Sequence, residues 1–297
     1  MFEGLTVAMV TPFRDDGLDL EATERLVEFL IAGGTEHLVV SGSTGEAATC
    51  SLEERRSLWR FVKERAHGRV SVIAGTGTNS TSDSIALTKL AEELGLDGAL
   101  VVTPYYNKPT PRGQIAHFTA VAKATRLPIM IYNVPGRTGT NTMPETLAAL
   151  GSLSNVVAVK EASGSVDQAS AVRAKVPYTL LSGDDSLTLP MIAVGAAGIV
   201  SVAGNVVPEL MRQLTDRARA GRMTEAEKIH ARLLPLFKAL FVESNPGPVK
   251  FLLSAMGMMA NQLRLPLVPV EPATQEIVLE AARSVGVALG APAAARG

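Results

Sequence analysis

The chain has 297 residues, 46% of them hydrophobic and 19% charged, with a formal net charge of -1 at pH 7. That length and apolar content support a large core in one domain or two, which excludes a disordered segment and a small disulfide-stapled scaffold. The near-neutral balance, without a long basic run, excludes an electrostatic footprint for nucleic acid or an anionic membrane, so small molecules are the expected partners.

At the N-terminus, Met1 to Glu3 carries no basic region, and the apolar stretch Leu5 to Val10 is too short for a signal or anchor. One cysteine, Cys50, rules out an internal disulfide and fits a reducing compartment. A cytoplasmic protein is expected.

Short apolar runs recur at Leu5 to Val10, His37 to Ser41, Val70 to Ala74, Ala99 to Thr103, Ile129 to Tyr132, Val156 to Val159, Tyr178 to Leu181 and Ile199 to Val202. Between them lie segments of helical spacing, such as Leu20, Leu26, Val27, Leu30 and Ile31, or Leu52, Leu58, Phe61 and Val62. This alternation predicts an α/β fold, a (β/α)8 TIM barrel over residues 1–222. A doubly wound open sheet is the alternative, but Thr11, Pro12 and Phe13 follow the first run where that fold more often has a Gly-rich fingerprint. Ser186 to Pro208 is uncharged and long enough for a membrane span, yet Pro190, Gly195, Gly198, Gly204 and Pro208 break it into a helix, a turn and a strand. Beyond Asn205 the pattern is helical: Pro208 to Arg219, Thr224 to Val242, Pro248 to Met259 and Pro272 to Val287. Residues 223–297 therefore read as a C-terminal helical extension, with Gly290 to Gly297 as a frayed tail.

In a parallel barrel the loops after the strands build the active face, and the unusual residues of this chain fall there. Lys160 closes the Val156 to Val159 run. At the mouth of an apolar barrel its charged form is disfavoured and the free amine becomes available to attack a ketone; a strand-end lysine that snorkels to water or pairs with a carboxylate reads the same way. Gly42, Ser43, Thr44, Gly45 and Glu46 form a turn whose small residues let N–H groups and hydroxyls converge on a carboxylate, with a helix N-cap as the equal alternative. Tyr132 ends its run with a phenol suited to proton transfer or simply to barrel packing, and Arg137 follows a Pro-Gly turn, suited to bidentate capture of a carboxylate or to the surface. Gly75 and Gly77 lack the third glycine of a dinucleotide site, where Ser80 stands, and no nucleotide is expected. His37, His67, His117 and His230 are scattered without ligand spacing, so no metal is expected.

Taken together, Gly42 to Glu46, Thr103 to Asn107, Tyr132 to Gly139, Lys160 to Glu161 and Asn245 to Lys250 resemble the dihydrodipicolinate synthase family, over nearly the whole chain. The resemblance implies that Lys160 forms an imine with pyruvate, whose enamine attacks L-aspartate 4-semialdehyde to give 4-hydroxy-tetrahydrodipicolinate, the committed step toward diaminopimelate and lysine. No cofactor beyond that imine is implied. Tyr132 would shuttle protons in a hydroxyl relay with Ser43 and with Tyr106 of a neighbouring subunit. Ser43 and Thr44 would hold the pyruvate carboxylate, Arg137 that of the semialdehyde, and Gly183 and Val200 would complete the substrate site. The family is commonly a homotetramer built as a dimer of dimers.

Two departures qualify the resemblance. Ser43 stands where the synthase pattern usually has Thr, and Gly-Ser-Thr-Gly-Glu also occurs in N-acetylneuraminate lyase, which keeps a pyruvate-releasing sugar-acid lyase open beside the synthase. A non-catalytic keto-acid sensor is a third reading. An effector cleft in family members that respond to lysine matches Ala48, Leu52, Arg55, Asn79, Asp83 and Tyr105; Leu52 and Arg55 replace histidines of a sensitive type, so weak or no inhibition is expected.

Overall fold

A computed structural model of the chain describes residues 1–290. Among these, eight parallel strands close into a barrel: β1 (Gly4–Ala8), β4 (His37–Val40), β5 (Ser71–Gly75), β6 (Gly98–Val102), β7 (Ile129–Asn133), β8 (Val156–Glu161), β9 (Thr179–Ser182) and β10 (Gly198–Ser201). Each pairs with its sequence neighbours, and β10 closes on β1 through Gly4 opposite Gly198 and Thr6 opposite Val200. The sequence reading of the barrel holds in all eight runs. A small antiparallel hairpin, β2 (Phe13–Arg14) and β3 (Gly17–Leu18), escaped it, because two-residue strands carry no period; Asp15 and Asp16 at its tip both have positive φ.

Strand side chains alternate between two faces, and the core divides accordingly. Ala8, Val39, Ile73, Leu100, Met130, Ala158, Leu181 and Val200 fill the barrel interior in one cluster with Tyr132. Their neighbours Val7, Leu38, Val40, Val72, Ala74, Ala99, Val101, Ile131 and Val159 point outward. There they pack on the ring of helices α1 (Leu20–Ala32), α2 (Leu52–Ala66), α3 (Thr81–Glu93), α4 (Pro111–Lys123), α5 (Pro135–Thr138), α6 (Pro144–Ala148), α7 (Val166–Lys175), α8 (Thr188–Ala193) and α9 (Pro208–Arg219). Caps start the longer helices where the sequence offers them: Asp19 for α1, and a full capping box of Ser51 and Glu54 for α2.

Three further helices follow, α10 (Met223–Ala239), α11 (Gly247–Ala255) and α12 (Pro272–Ser284), and they join the outer core through Leu233, Leu236, Phe237, Leu252 and Val278. All three stop short of the spacing-based ends, α10 at Ala239 rather than Val242, α11 at Ala255 rather than Met259 and α12 at Ser284 rather than Val287. The N–H of Met258 reaches back to the Leu253 carbonyl at 2.9 Å, and that of Val287 to Ala282 at 3.0 Å. In such C-terminal turns the apolar residue after the turn packs back on the helix, so the hydrophobic pattern runs on after the helix has ended. Gly290 bonds through its N–H to Ala255 at 2.9 Å, and the rest of the expected tail lies outside the described residues. No helix among the described residues is long and apolar enough to cross a membrane; Ser186 to Pro208 is broken as its punctuation predicts, with α8 followed by β10.

Candidate active site

The segments that follow β4, β5, β6 and β7 meet at one end of the barrel, around a cavity of about 360 Å³. Ser43, Tyr132, Arg137, Gly42 and Asn245 all line it.

Lys160 lies on β8 directly opposite Tyr132 on β7, and its Nζ stands 4.1 Å from the centroid of the Tyr132 ring. Both are buried, at 5% and 6% exposure. The aromatic face provides a cation–π contact for an ammonium that strand pairing carries into the barrel mouth. Glu161, next in the strand, points elsewhere: it accepts from Asn133 Nδ2 at 3.0 Å, Gln168 Nε2 at 3.2 Å and the Ser163 N–H at 2.7 Å. Glu161 is thereby committed to holding loops. Gly183 donates its N–H to the Glu161 carbonyl at 2.8 Å, and Val200 lies in the interior cluster with Ala158 and Tyr132. Burial pushes the nearby Asp184 carboxyl up, a shift the Lys160 charge opposes.

The turn after β4 is closed by N–H groups of Gly45, Glu46 and Ala47, which donate to Gly42 and Ser43 carbonyls. Among the described residues the N–H groups of Ser43 and Thr44 donate to no such carbonyl, which suits them to an anion. Neither residue caps a helix; the cap of α2 belongs to Ser51. Thr11 Oγ1 holds the Gly45 carbonyl at 2.7 Å, and Trp59 Nε1 donates to Ser41 Oγ at 3.0 Å. Gly75 packs against the start of this turn and Gly77 against β6: a Cβ on Gly75 would lie 2.0 Å from the Ser41 carbonyl oxygen, and one on Gly77 2.2 Å from the Val102 nitrogen. That accounts for the glycine pair without a nucleotide.

Asn245 was quoted in the sequence pattern but given no role there. It arrives from the segment between α10 and α11, about 200 residues along from the turn it serves, where no local period could reveal it. Its Nδ2 donates to Thr44 Oγ1 at 2.9 Å, and its carbonyl accepts from Arg137 at 3.1 Å. Thr44 is thus buried behind the turn, whereas Arg137 is exposed at the cavity wall. Glu46 likewise had no assigned role and proves to be 4% exposed, 2.5 Å from the fully buried Lys250. Burial pushes the Lys250 ammonium below the usual amine range, with Glu46 opposing.

Tyr106 does not join the other predicted catalytic groups within one chain. It is 88% exposed, with φ 71, and projects from the loop after β6. The six residues of the expected effector cleft divide: Ala48, Arg55 and Tyr105 line the site cavity, while Leu52, Arg55 and Asp83 line a neighbouring one of about 470 Å³. Asn79 lines neither; its carbonyl accepts from Asn107 at 2.8 Å. Among the described residues no group of three or more His, Cys, Asp or Glu side chains is placed to hold a metal ion.

A lysine buried against the ring of a tyrosine that shares its cavity with Ser43, at the C-terminal end of parallel strands, is suited to covalent chemistry on a small carbonyl acid. Fold and site define a lysine-dependent barrel lyase. Residues 1–284 match the model of the dihydrodipicolinate synthetase family, and the chain belongs to that family. A 4-hydroxy-tetrahydrodipicolinate synthase from Cyanothece sp. is 48% identical over 290 residues, 96% of this chain and 99% of that one. In structure, dihydrodipicolinate synthase from Aquifex aeolicus superposes with a TM-score of 0.96 at 42% identity, covering 98% of this chain and 100% of its own. The chloride-inhibited dihydrodipicolinate synthase from Acinetobacter baumannii, complexed with pyruvate, gives 0.94 at 40% identity over 97% and 100%.

Proposed function

We propose that the chain condenses pyruvate with L-aspartate 4-semialdehyde through an imine on Lys160, giving 4-hydroxy-tetrahydrodipicolinate. The observation that carries this reading is the placement of the Lys160 amine against the ring of Tyr132, which lines the same cavity as Ser43. The amine adds to the ketone carbon of pyruvate, and water leaves to form the imine. Loss of a methyl proton gives the enamine, whose carbon forms the new bond to the aldehyde carbon while the aldehyde oxygen takes a proton. The semialdehyde amine then displaces Lys160 and closes the ring, restoring the free lysine. No external cofactor enters.

In this reading Tyr132 passes the protons, the Ser43 and Thr44 N–H groups hold the pyruvate carboxylate, and Arg137 takes that of the semialdehyde. Gly183, whose N–H bonds the Glu161 carbonyl, and Val200, on the barrel interior, complete the substrate site. Residues 1–222 form the catalytic barrel, and the helical part that follows finishes its mouth through Asn245. Exposure of Tyr106 supports a homo-oligomer in which each subunit lends this phenol to its neighbour, with a dimer of dimers as the full assembly, in the cytoplasm. Ser43 is shared with the sugar-acid lyase, but the relatives favour neither that lyase nor the sensor.

The test is reductive trapping. Protein incubated with pyruvate and reduced with borohydride should carry a lactyl-type adduct on Lys160 by peptide mass spectrometry, absent from Lys160→Ala. No adduct on folded, oligomeric protein would overturn the reading.

A further inference from the structure

Lys250 is 0% exposed, and its carbon stem and ammonium are enclosed by protein on every side. Its Nζ lies 2.5 Å from Glu46 Oε1 and 4.4 Å from the centroid of the Phe13 ring. The other carboxylate oxygen of Glu46 accepts from the Arg264 N–H at 3.0 Å, and the Arg264 guanidinium covers the same Phe13 ring at 4.3 Å. Glu46 borders the site cavity, but Lys250 does not line it and takes no part in the proposed reaction steps, so the reaction itself does not explain the pair.

Energetics sharpen the question. A buried ion pair is commonly no more stabilising than an apolar pair of the same volume, because desolvation offsets the attraction. What such a pair does specify is geometry. Glu46 has φ 52 and Ser41, at the other end of the turn, has φ 56, a left-handed backbone that L residues with a side chain disfavour. The Ser41–Glu46 turn is therefore held away from its relaxed form at both ends. Trp59 secures the Ser41 end, and Lys250 with Arg264 secures the Glu46 end.

We propose that Lys250 is a positioning residue of the keto-acid carboxylate subsite: acting through Glu46, it fixes the turn so that the Ser43 and Thr44 N–H groups converge on the carboxylate. The inference rests on the reading of that turn as the pyruvate site. The Lys250 ammonium bonds Glu46 and not Arg137, so its effect is expected on the pyruvate side more than on the semialdehyde side.

The experiment compares wild type, Lys250→Met and the charge-neutral double variant Glu46→Gln/Lys250→Met, with folding checked by thermal melting. KM is measured separately for pyruvate and for the semialdehyde, and Lys160 is trapped with borohydride at saturating pyruvate. We expect pyruvate KM to rise about 10-fold or more. Semialdehyde KM should stay within about twofold, with Lys160 still trapped at saturation. Lys250→Arg, which keeps a donor for Glu46, should recover part of the pyruvate KM. A pyruvate KM within about twofold of wild type in a folded variant, or an equal rise for both substrates, would overturn the proposal. So would loss of folding in both variants, which marks the pair as structural. Absence of a wild-type adduct is a separate result: it removes the functional reading first and this inference with it.

Discussion

Lys160 and Tyr132 are direct partners across β8 and β7, and their side chains meet with the ammonium 4.1 Å from the ring centroid. Parallel pairing forces this meeting, since residues in register on adjacent strands point to the same side of the sheet. The phenol is therefore fixed relative to the carbon that would be joined to Lys160. Tyr132→Phe keeps the ring and removes only the proton carrier. We expect kcat to fall about 10²- to 10⁴-fold with pyruvate KM little changed, measured by steady-state kinetics. An unchanged kcat would remove Tyr132 from the proton path.

Tyr106 tests the assembly. At 88% exposure it cannot serve the cavity of its own chain in this conformation, so its role depends on a second copy. Tyr106→Phe and Lys160→Ala should each be nearly inactive alone. Mixed, dissociated and reassociated, they should regain about a quarter of wild-type activity, because half the dimers are hybrids and each hybrid has one intact site. No recovery on mixing would place Tyr106 outside the neighbour's site.

The legibility of this chain divides along physical lines. Every barrel strand was visible because a strand buried on both faces must be apolar throughout, and turn residues bound each run. Lys160, Tyr132 and Arg137 stood out because they interrupt that regularity at strand ends. Glu46, Lys250 and Asn245 carried no comparable signal of role, since their partners lie about 200 positions away and only folding brings them together. Met258 and Val287 misled, because an apolar residue after a helix-ending turn packs like one inside the helix.

His117 provides a handle on acid stability. It is 5% exposed, Nδ1 lies 2.9 Å from Thr81 Oγ1, and burial lowers its pKa to about 4 from an ordinary 6.5. Between those values the unfolded chain binds more protons than the folded one, so stability falls as pH drops from 6.5 and the loss levels off below 4. The imidazole contributes about 1–3 kcal/mol to that loss. His37 and His230, whose pKa values burial also lowers, act in the same direction, so the comparison is with His117→Gln. Its urea midpoint should vary less between pH 6.5 and 4 than that of wild type. Equal slopes would show that His117 is not buried neutral.

Asp185 is expected to be among the costliest polar positions in the fold. Its carboxylate accepts from the Ser201 hydroxyl at 2.5 Å and from the N–H groups of Val202 and Ala203 at 3.1 and 2.9 Å, at 2% exposure. Asp185→Ala strands all three donors where water cannot reach them. We expect a loss of about 3–5 kcal/mol by urea denaturation, and a smaller one for Asp185→Asn, which keeps an acceptor. A loss below about 1 kcal/mol would mean that water or another group replaces the carboxylate.

Response to free lysine turns on Leu52 and Arg55. Leu52 is 52% exposed and presents only methyl groups at the edge of the cavity it shares with Asp83, where a histidine would offer ring nitrogens. Arg55 places a permanent positive charge between that cavity and the site cavity, and its guanidinium is already committed to the Ala47 carbonyl. A ligand with two ammonium groups and one carboxylate meets repulsion there from Arg55 and Arg56, which the Asp83 and Glu93 carboxylates on the same wall offset only in part. Millimolar L-lysine should therefore lower the initial rate by less than half at subsaturating pyruvate. Leu52→His combined with Arg55→His removes the charge and restores two ring acceptors, and should increase the inhibition. A halved wild-type rate at millimolar lysine would refute the argument and show that Asp83 and Tyr105 suffice to bind the effector.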